Sequence, residues 1–187
     1  AINERIKPSD LVKRVSENIR YVLDKINIGI DKVLGVGVGT VGSLNKEKGV
    51  LLEVEGFTDN GWIGFPIKQE LEKELNILTV LNDGANAAVL AEYWGDIGKK
   101  HRNVIYVSIG VGFRCGIIFH GHLASDRKCV SNDVYGHIVV SADGRPCYCG
   151  NKGCVESYVS IPAIVQSYSE GEAISSNVAS ENWQGYG

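Results

Sequence analysis

The stretch from Gly136 to Glu156 constrains this chain more than any other. It reads Gly136-His137, then Ile-Val-Val-Ser-Ala-Asp-Gly-Arg-Pro, then Cys147-Tyr-Cys149-Gly150-Asn-Lys-Gly153-Cys154-Val-Glu156. One imidazole and three thiols in a short window form the N/S donor set that zinc prefers, and four protein ligands leave no open coordination position. Gly150 and Gly153 give the loop between Cys149 and Cys154 the freedom to fold back so that the thiolates converge. The alternative is a group of ordinary buried thiols or a disulfide. Adjacent thiols of a Cys-x-Cys sit badly for bonding each other, and dense cysteine with a histidine at ligand spacing is the pattern that accompanies zinc. The expected role is structural, since a closed site holds a loop in shape and does no chemistry.

The 187 residues are 44% hydrophobic and 22% charged, enough for a substantial core in one large or two small domains. A net charge of −3 and a pI near 5.8 give no electrostatic footprint for nucleic acid, so any DNA contact belongs elsewhere. Five cysteines are an odd number. The knuckle claims three, leaving Cys115 and Cys129 as separate thiols, which argues against a secreted disulfide framework and for a reducing cytoplasm. There is no basic-then-apolar leader and no apolar run of spanning length, so neither export nor membrane insertion is expected. The chain contains no methionine and begins Ala1-Ile2.

Strands alternate with helices along the chain, which predicts an α/β fold. Pro8-Ser9-Asp10 reads as a helix start, and Leu11, Val12, Val15, Ile19, Val22, Leu23 and Ile26 recur on one helical face until Asn27 to Asp31 breaks it. Val33 to Val38 reads as a buried strand entering the glycine turn Gly39 to Ser43, with a second strand at Val50 to Val54. A helix is predicted from Pro66 to Asn76 with Ile67, Leu71 and Leu75 inward, then a strand from Ile77 to Leu81. Asn82 to Glu92 passes from strand end into a small-residue helix. Asn103 to Ile109 and Cys115 to Phe119 form a hairpin about Gly110-Val111-Gly112, and Ile161 to Tyr168 is helical. The tail from Gly171 onward is polar and expected to be mobile.

Asp83, at a strand end, is placed where open α/β sheets bind ligands, and Asn82 beside it offers donor and acceptor. The same residues serve equally well as a helix cap and turn. The glycine-rich stretches Gly35 to Gly42 and Gly110 to Gly116 could turn backbone amides toward an anion or a sugar, but neither has a dinucleotide or P-loop spacing. Trp62 is either a stacking face for a sugar or a core aromatic.

Together these stretches resemble the ROK family of repressors, open reading frames and sugar kinases. The resemblance rests on Leu34-Gly-Val-Gly-Val38, Asn82-Asp83-Gly-Ala-Asn86-Ala-Ala88, Tyr106 to Gly116 with Gly121 after it, and above all Gly136-His137 with Cys147-x-Cys149-Gly-x-x-Gly153-Cys154-x-Glu156. It implies an actin-like ATPase (ribonuclease H-like) two-lobe α/β fold, incomplete at both ends, with residues 1–86 in the first lobe. Residues 87–187 would belong to the second lobe, with the zinc knuckle at 136–156. It further implies a monosaccharide in the inter-lobe cleft, held by Asn82, Asp83, His137 and Glu156. Structural zinc would be bound by His137, Cys147, Cys149 and Cys154, fixing the loop that presents His137 and Glu156. In family kinases the aspartate matching Asp83 is the general base, with ATP and magnesium as cofactors. The family also suggests a cytoplasmic homodimer or higher assembly.

The departures from the family pattern matter as much. The Asp-x-Gly-Gly-Thr phosphate loop has no match here, and phosphoryl transfer depends mostly on positioning and charge stabilisation. The family's Gly-Thr-Gly-x-Gly turn reads Gly110-Val111-Gly112-Phe113-Arg114, losing a hydroxyl and a glycine. Val134 stands where the family has a sugar-binding glutamate, with Asp133 before it, and the family's Pro-Gly is missing at Val38-Gly39. The expectation is therefore a sugar-sensing effector domain of a ROK-type transcriptional regulator, with DNA bound only through a domain absent from this chain. The alternatives are an ATP-dependent sugar kinase using Asp83, and a zinc-stabilised α/β domain that has lost its ligand.

Overall fold

The computed structural model describes residues 6–52, 61–124, 129–130 and 133–171. It is a mixed α/β protein whose contacts divide it into two compact units. The described residues of the first unit fall within 6–106 and 116–130, and those of the second within 107–115 and 133–171.

The first unit opens with helix α1, Pro8–Lys25, whose first position is the proline, where the missing N–H is no loss. Its predicted apolar face is real but only partly used. Val12 is buried, and Leu11, Val15 and Ile19 pack against the core, whereas Val22 and Ile26 are exposed. Asn27 ends the run in the left-handed region at φ 53°. Strand β1 then runs Val36–Thr40, later than the apolar run Val33 to Val38 suggests. Pairing decides its start: Val36 N–H donates to Leu78 O at 2.8 Å, and Leu34, before that bond, is 96% exposed. The short strands β2, Leu44–Asn45, and β3, Val50–Leu51, follow. The remainder of the predicted strand to Val54 lies outside the described residues.

Helix α2, Ile67–Leu75, buries Ile67, Leu71 and Leu75 as predicted and stops at Asn76, whose φ of 57° gives a left-handed cap. Strand β4, Thr79–Asp83, pairs in parallel with β1 in the register Val36↔Thr79 to Thr40↔Asp83. Like β1, which starts three residues late, it starts late relative to its apolar run, by two residues, and so ends on the polar pair Asn82-Asp83. Helix α3, Gly84–Glu92, continues through a π turn, Tyr93–Ile97, into the short α4, Gly98–Lys100. The core cluster joins Val12, Leu44, Leu51, Trp62, Ile67, Leu71, Leu75 and Leu81. Trp62 is 4% exposed and its Nε1–H donates to Ile6 O at 3.2 Å, so it is a core aromatic and no stacking face for a sugar.

Strand β5, Val104–Ile109, and β6, Phe113–Phe119, form the predicted hairpin, extended by β7, His122–Leu123. Its tip, 107–115, counts with the second unit. Gly116 is required by packing: a Cβ there would overlap the carbonyl of Ala85. Strand β8, Cys129–Val130, pairs antiparallel with β2. The second unit is completed by the knuckle and by helices α5, Glu156–Val159, and α6, Ile161–Gly171. The polar tail after Gly171 lies outside the described residues. Among the described residues, no helix is long and apolar enough to cross a membrane.

Candidate functional site

In the first unit, the carboxyl ends of β1 and β4 place Thr40 beside Asp83. Asp83 is 0% exposed, and its Oδ1 accepts from Ala85 N–H at 2.8 Å and Asn86 N–H at 3.1 Å. It is thus the N-cap of α3, satisfying two of the helix's orphan donors with a negative charge on the positive end of the helix dipole. Of the two roles open to it from sequence, the capping role is realised in this geometry. Asn82 is half-buried, and its Oδ1 accepts from Asp83 N–H at 3.0 Å, so the pair forms one hydrogen-bonded corner at the strand ends. The motif residue Asn86, to which the sequence assigned no role, is enclosed, and its side-chain amide has no hydrogen-bond partner among the described residues.

In the second unit, the knuckle is closed by a backbone neck. Glu156 N–H donates to Gly136 O at 2.9 Å, Val155 N–H to Ile138 O at 3.0 Å, and Val140 N–H to Gly153 O at 2.8 Å. Beyond the neck, Cys147 N–H donates to Asn151 O at 2.8 Å, and Gly150 N–H to Cys147 O at 3.0 Å. Gly150 and Gly153 have φ of 90° and 70°, the left-handed backbone expected of them, and a Cβ on Gly153 would overlap Ser141 O.

This fold gathers ligand atoms of His137, Cys147, Cys149 and Cys154 within 4.8 Å of one another. Cys147 Sγ lies 3.5 Å from His137 Nδ1, and Cys149 Sγ lies 3.7 Å from Cys154 Sγ. A tetrahedral ion with zinc's bond lengths would set these edges at roughly 3.6 Å for N to S and roughly 3.8 Å for S to S. A disulfide needs sulfurs about 2.05 Å apart, so the pair is not one. The donor set and its spacing therefore fit a metal ion. Burial pushes the Cys154 thiol up to about 12, with the hydrogen bonds and charges of Cys147 and Cys149 adding to the rise. Cys149 moves the other way, lowered first by a backbone hydrogen bond from Asn151. A cation among them would favour the thiolate at every position. Cys115 stands apart as a buried thiol on β6, its pKa raised by desolvation.

The residue that ends the knuckle is also tied to the hairpin tip. Glu156 is 8% exposed, and its Oε2 accepts from Phe113 N–H at 2.6 Å. Ile161 N–H donates to Gly110 O at 2.8 Å, and Gly110 N–H donates to Gly112 O at 2.9 Å. Gly112 and Gly136 flank the carboxylate closely: a Cβ on either would stand 2.8 or 3.0 Å from Glu156 Oε2. The turn at 110–112 is thus pinned on both sides by the segment following the metal loop.

The ROK family profile matches residues 3–182. The chain belongs to the ROK family. It is 33% identical over 162 residues to a glucokinase of Thermotoga maritima, covering 87% of this chain and 49% of that one. It is 31% identical over 136 residues to the xylose repressor of Bacillus subtilis, covering 72% of this chain and 34% of the repressor. The chain spans about half the length, or less, of the curated relatives it matches. Among solved structures, a ROK family transcriptional regulator homologous to the E. coli MLC protein matches 95% of this chain and 45% of its own at a TM-score of 0.75 and 22% identity, a likeness of fold. A ROK family glucokinase from Streptomyces griseus, in complex with glucose and AMPPNP, matches 84% of this chain and 49% of its own at 0.65 and 28% identity. ROK proteins thus include both regulators and kinases among this chain's relatives.

Of the residues singled out from sequence, the structure brings Asn82 to Asp83 in the first unit, and His137 to Cys147, Cys149 and Cys154 in the second. Val134 is exposed on a 3-10 turn, Asp133–Tyr135. Two participants escaped the sequence: the Phe113 amide on Glu156, a backbone group with no sequence signal, and Tyr148, inside the Cys-x-Cys, whose hydroxyl lies 3.2 Å from His137 Nε2.

Proposed function

We propose that this chain is the sugar-binding part of a ROK-type transcriptional regulator. Asn82, Asp83, His137 and Glu156 would hold a monosaccharide, and a structural zinc ion would be held by His137, Cys147, Cys149 and Cys154. When bound, the zinc supplies no chemistry beyond fixing the loop that carries His137 and Glu156. DNA contact belongs to a separate domain, and the working assembly is a homodimer or larger in the cytoplasm.

The observation that carries this reading is the Glu156 carboxylate on the Phe113 amide. A turn that cradles phosphate needs its backbone amides turned outward and no anion beside them. Here Gly110 N–H is spent on Gly112 O, Phe113 N–H is spent on a carboxylate, and Arg114 replaces the glycine that lets backbone approach ATP. The same contact suits a sensor. A sugar hydroxyl donating to Glu156 would share the carboxylate with Phe113 N–H, so occupancy is felt at the 110–112 turn and shifts the population of its conformers. Asp83, held by two amide donors, serves a sugar hydroxyl as acceptor without removing its proton.

A second reading, an ATP-dependent sugar kinase with Asp83 as general base and magnesium on the nucleotide, is favoured by the identity to glucokinases, one of which was solved with glucose and AMPPNP. Titration calorimetry of the zinc-replete protein with hexoses, N-acetylhexosamines and xylose, repeated with ATP and magnesium while product is assayed, separates the two. The expected result is sugar binding with no phosphorylated product. Turnover that Asp83→Asn abolishes would replace the sensor by the kinase.

A further inference from the structure

The two nitrogens of His137 face different partners. Nδ1 lies 3.5 Å from Cys147 Sγ, on the side where the thiols converge, while Nε2 lies 3.2 Å from the Tyr148 hydroxyl. The two rings meet edge to face, with centroids 5.1 Å apart and planes at 78°. The proximity follows from the Cys-x-Cys itself: Tyr148 is the residue between two ligands, so the turn that delivers Cys147 and Cys149 also delivers its phenol to the imidazole.

We infer that Tyr148 is the positioning residue of the metal centre, its hydroxyl accepting from His137 Nε2–H and thereby fixing the tautomer and ring orientation in which Nδ1 is the ligand. An imidazole can bind a metal through one nitrogen only if that nitrogen is unprotonated, and the hydrogen bond made by the other nitrogen decides which one that is. Metal-binding histidines ordinarily give this second N–H to a carboxylate, a backbone carbonyl or water. Here no such protein acceptor is recorded on Nε2 among the described residues, and the phenol oxygen takes the role. Tyr148 is 63% exposed, so it contributes little by burial and its hydroxyl is what matters. The inference rests on the metal reading of the knuckle and describes the sugar-free state, in which Tyr148 holds the Nε2–H that a bound sugar would take over in the proposed site.

The test compares wild type, Tyr148→Phe and Cys147→Ser as full chains. Zinc affinity is measured by competition with a chromophoric chelator, and 15N spectra of histidine-labelled protein report the tautomer of His137. Phenylalanine keeps the edge-to-face contact and removes only the acceptor. The expected outcome is roughly tenfold weaker zinc binding in Tyr148→Phe, at the low end of the range for such supporting partners. The Nε2–H signal should also exchange faster with water, while the melting temperature of the metal-free protein stays unchanged. Wild-type affinity and an unchanged Nε2–H signal in Tyr148→Phe, with Cys147→Ser still losing zinc, would overturn the role of Tyr148 alone. Failure of the wild type to bind zinc at all would overturn the metal reading and this inference with it.

Discussion

The corner at Asn82-Asp83 and the knuckle at 136–156 are built on opposite principles. Asp83 is fully buried, as are Leu81, Ala85 and Val89 near it in sequence, in a unit where α1 and α2 turn apolar side chains into one cluster with Leu81. Its carboxylate is enclosed and fixed by the two amides of α3. The knuckle buries Cys154, Glu156 and two glycines but leaves Ile138, Val139 and Val140 exposed. Its backbone neck cannot be stable on so little apolar burial, because a short unsupported hairpin is marginal in water. What a core does for the first region, an ion held by His137, Cys147, Cys149 and Cys154 would do for the second.

The sharpest way to break this comparison is to remove the metal. A strong chelator, or Cys154→Ser, should unfold the neck, since structural zinc contributes on the order of 10 kcal/mol. Hydrogen exchange would show the amides of Val140, Gly153 and Val155 losing protection while those of β1 and β4 keep theirs. Protection retained in the neck would mean that the knuckle stands without its ion. Next in size is Leu71→Ala in the core of the first unit. It should cost about 2–5 kcal/mol in chemical denaturation and leave zinc content untouched; a fall in zinc content would contradict the separation of the two supports. Smallest is the cap. Asp83→Ala should destabilise by about 1 kcal/mol and abolish sugar binding. Asp83→Asn, which keeps an acceptor for the α3 amides, should recover most of the stability in the same melt but not the binding. Equal losses from both would show that charge, and not capping, is what the position supplies.

How far each region could be read from sequence follows from the same contrast. Helix α2 was legible because Ile67, Leu71 and Leu75 repeat at the helical period and nothing else competes for them. The gathering of His137, Cys147, Cys149 and Cys154 was legible because cysteine and histidine at that spacing have few other reasons to coincide. Strand limits were not: β1 and β4 each begin two or three residues later than their apolar runs, because a parallel strand starts where its neighbour starts, and composition carries no register. Val22 and Ile26 match the face of α1 yet stay exposed, since periodicity shows which side of a helix is apolar but not how far the core extends beneath it. Glu156 was singled out from the sequence, but its partner, a backbone amide 43 residues away, leaves no trace in residue identities.

The neck has one more consequence, for what a bound ion would tie together. Its bonds join Gly136 and Ile138 to Val155 and Glu156, so His137 and Cys154 lie on the bridged neck, while Cys147 and Cys149 lie on the loop beyond. The cluster thus has two members on the neck and two on the loop beyond it, which is tied in turn by the Pro146–Lys152 bridge and by Gly153 N–H on Arg145 O. An ion joining His137 and Cys154 to Cys147 and Cys149 would clamp the loop onto the neck, and so onto the segment that carries Glu156.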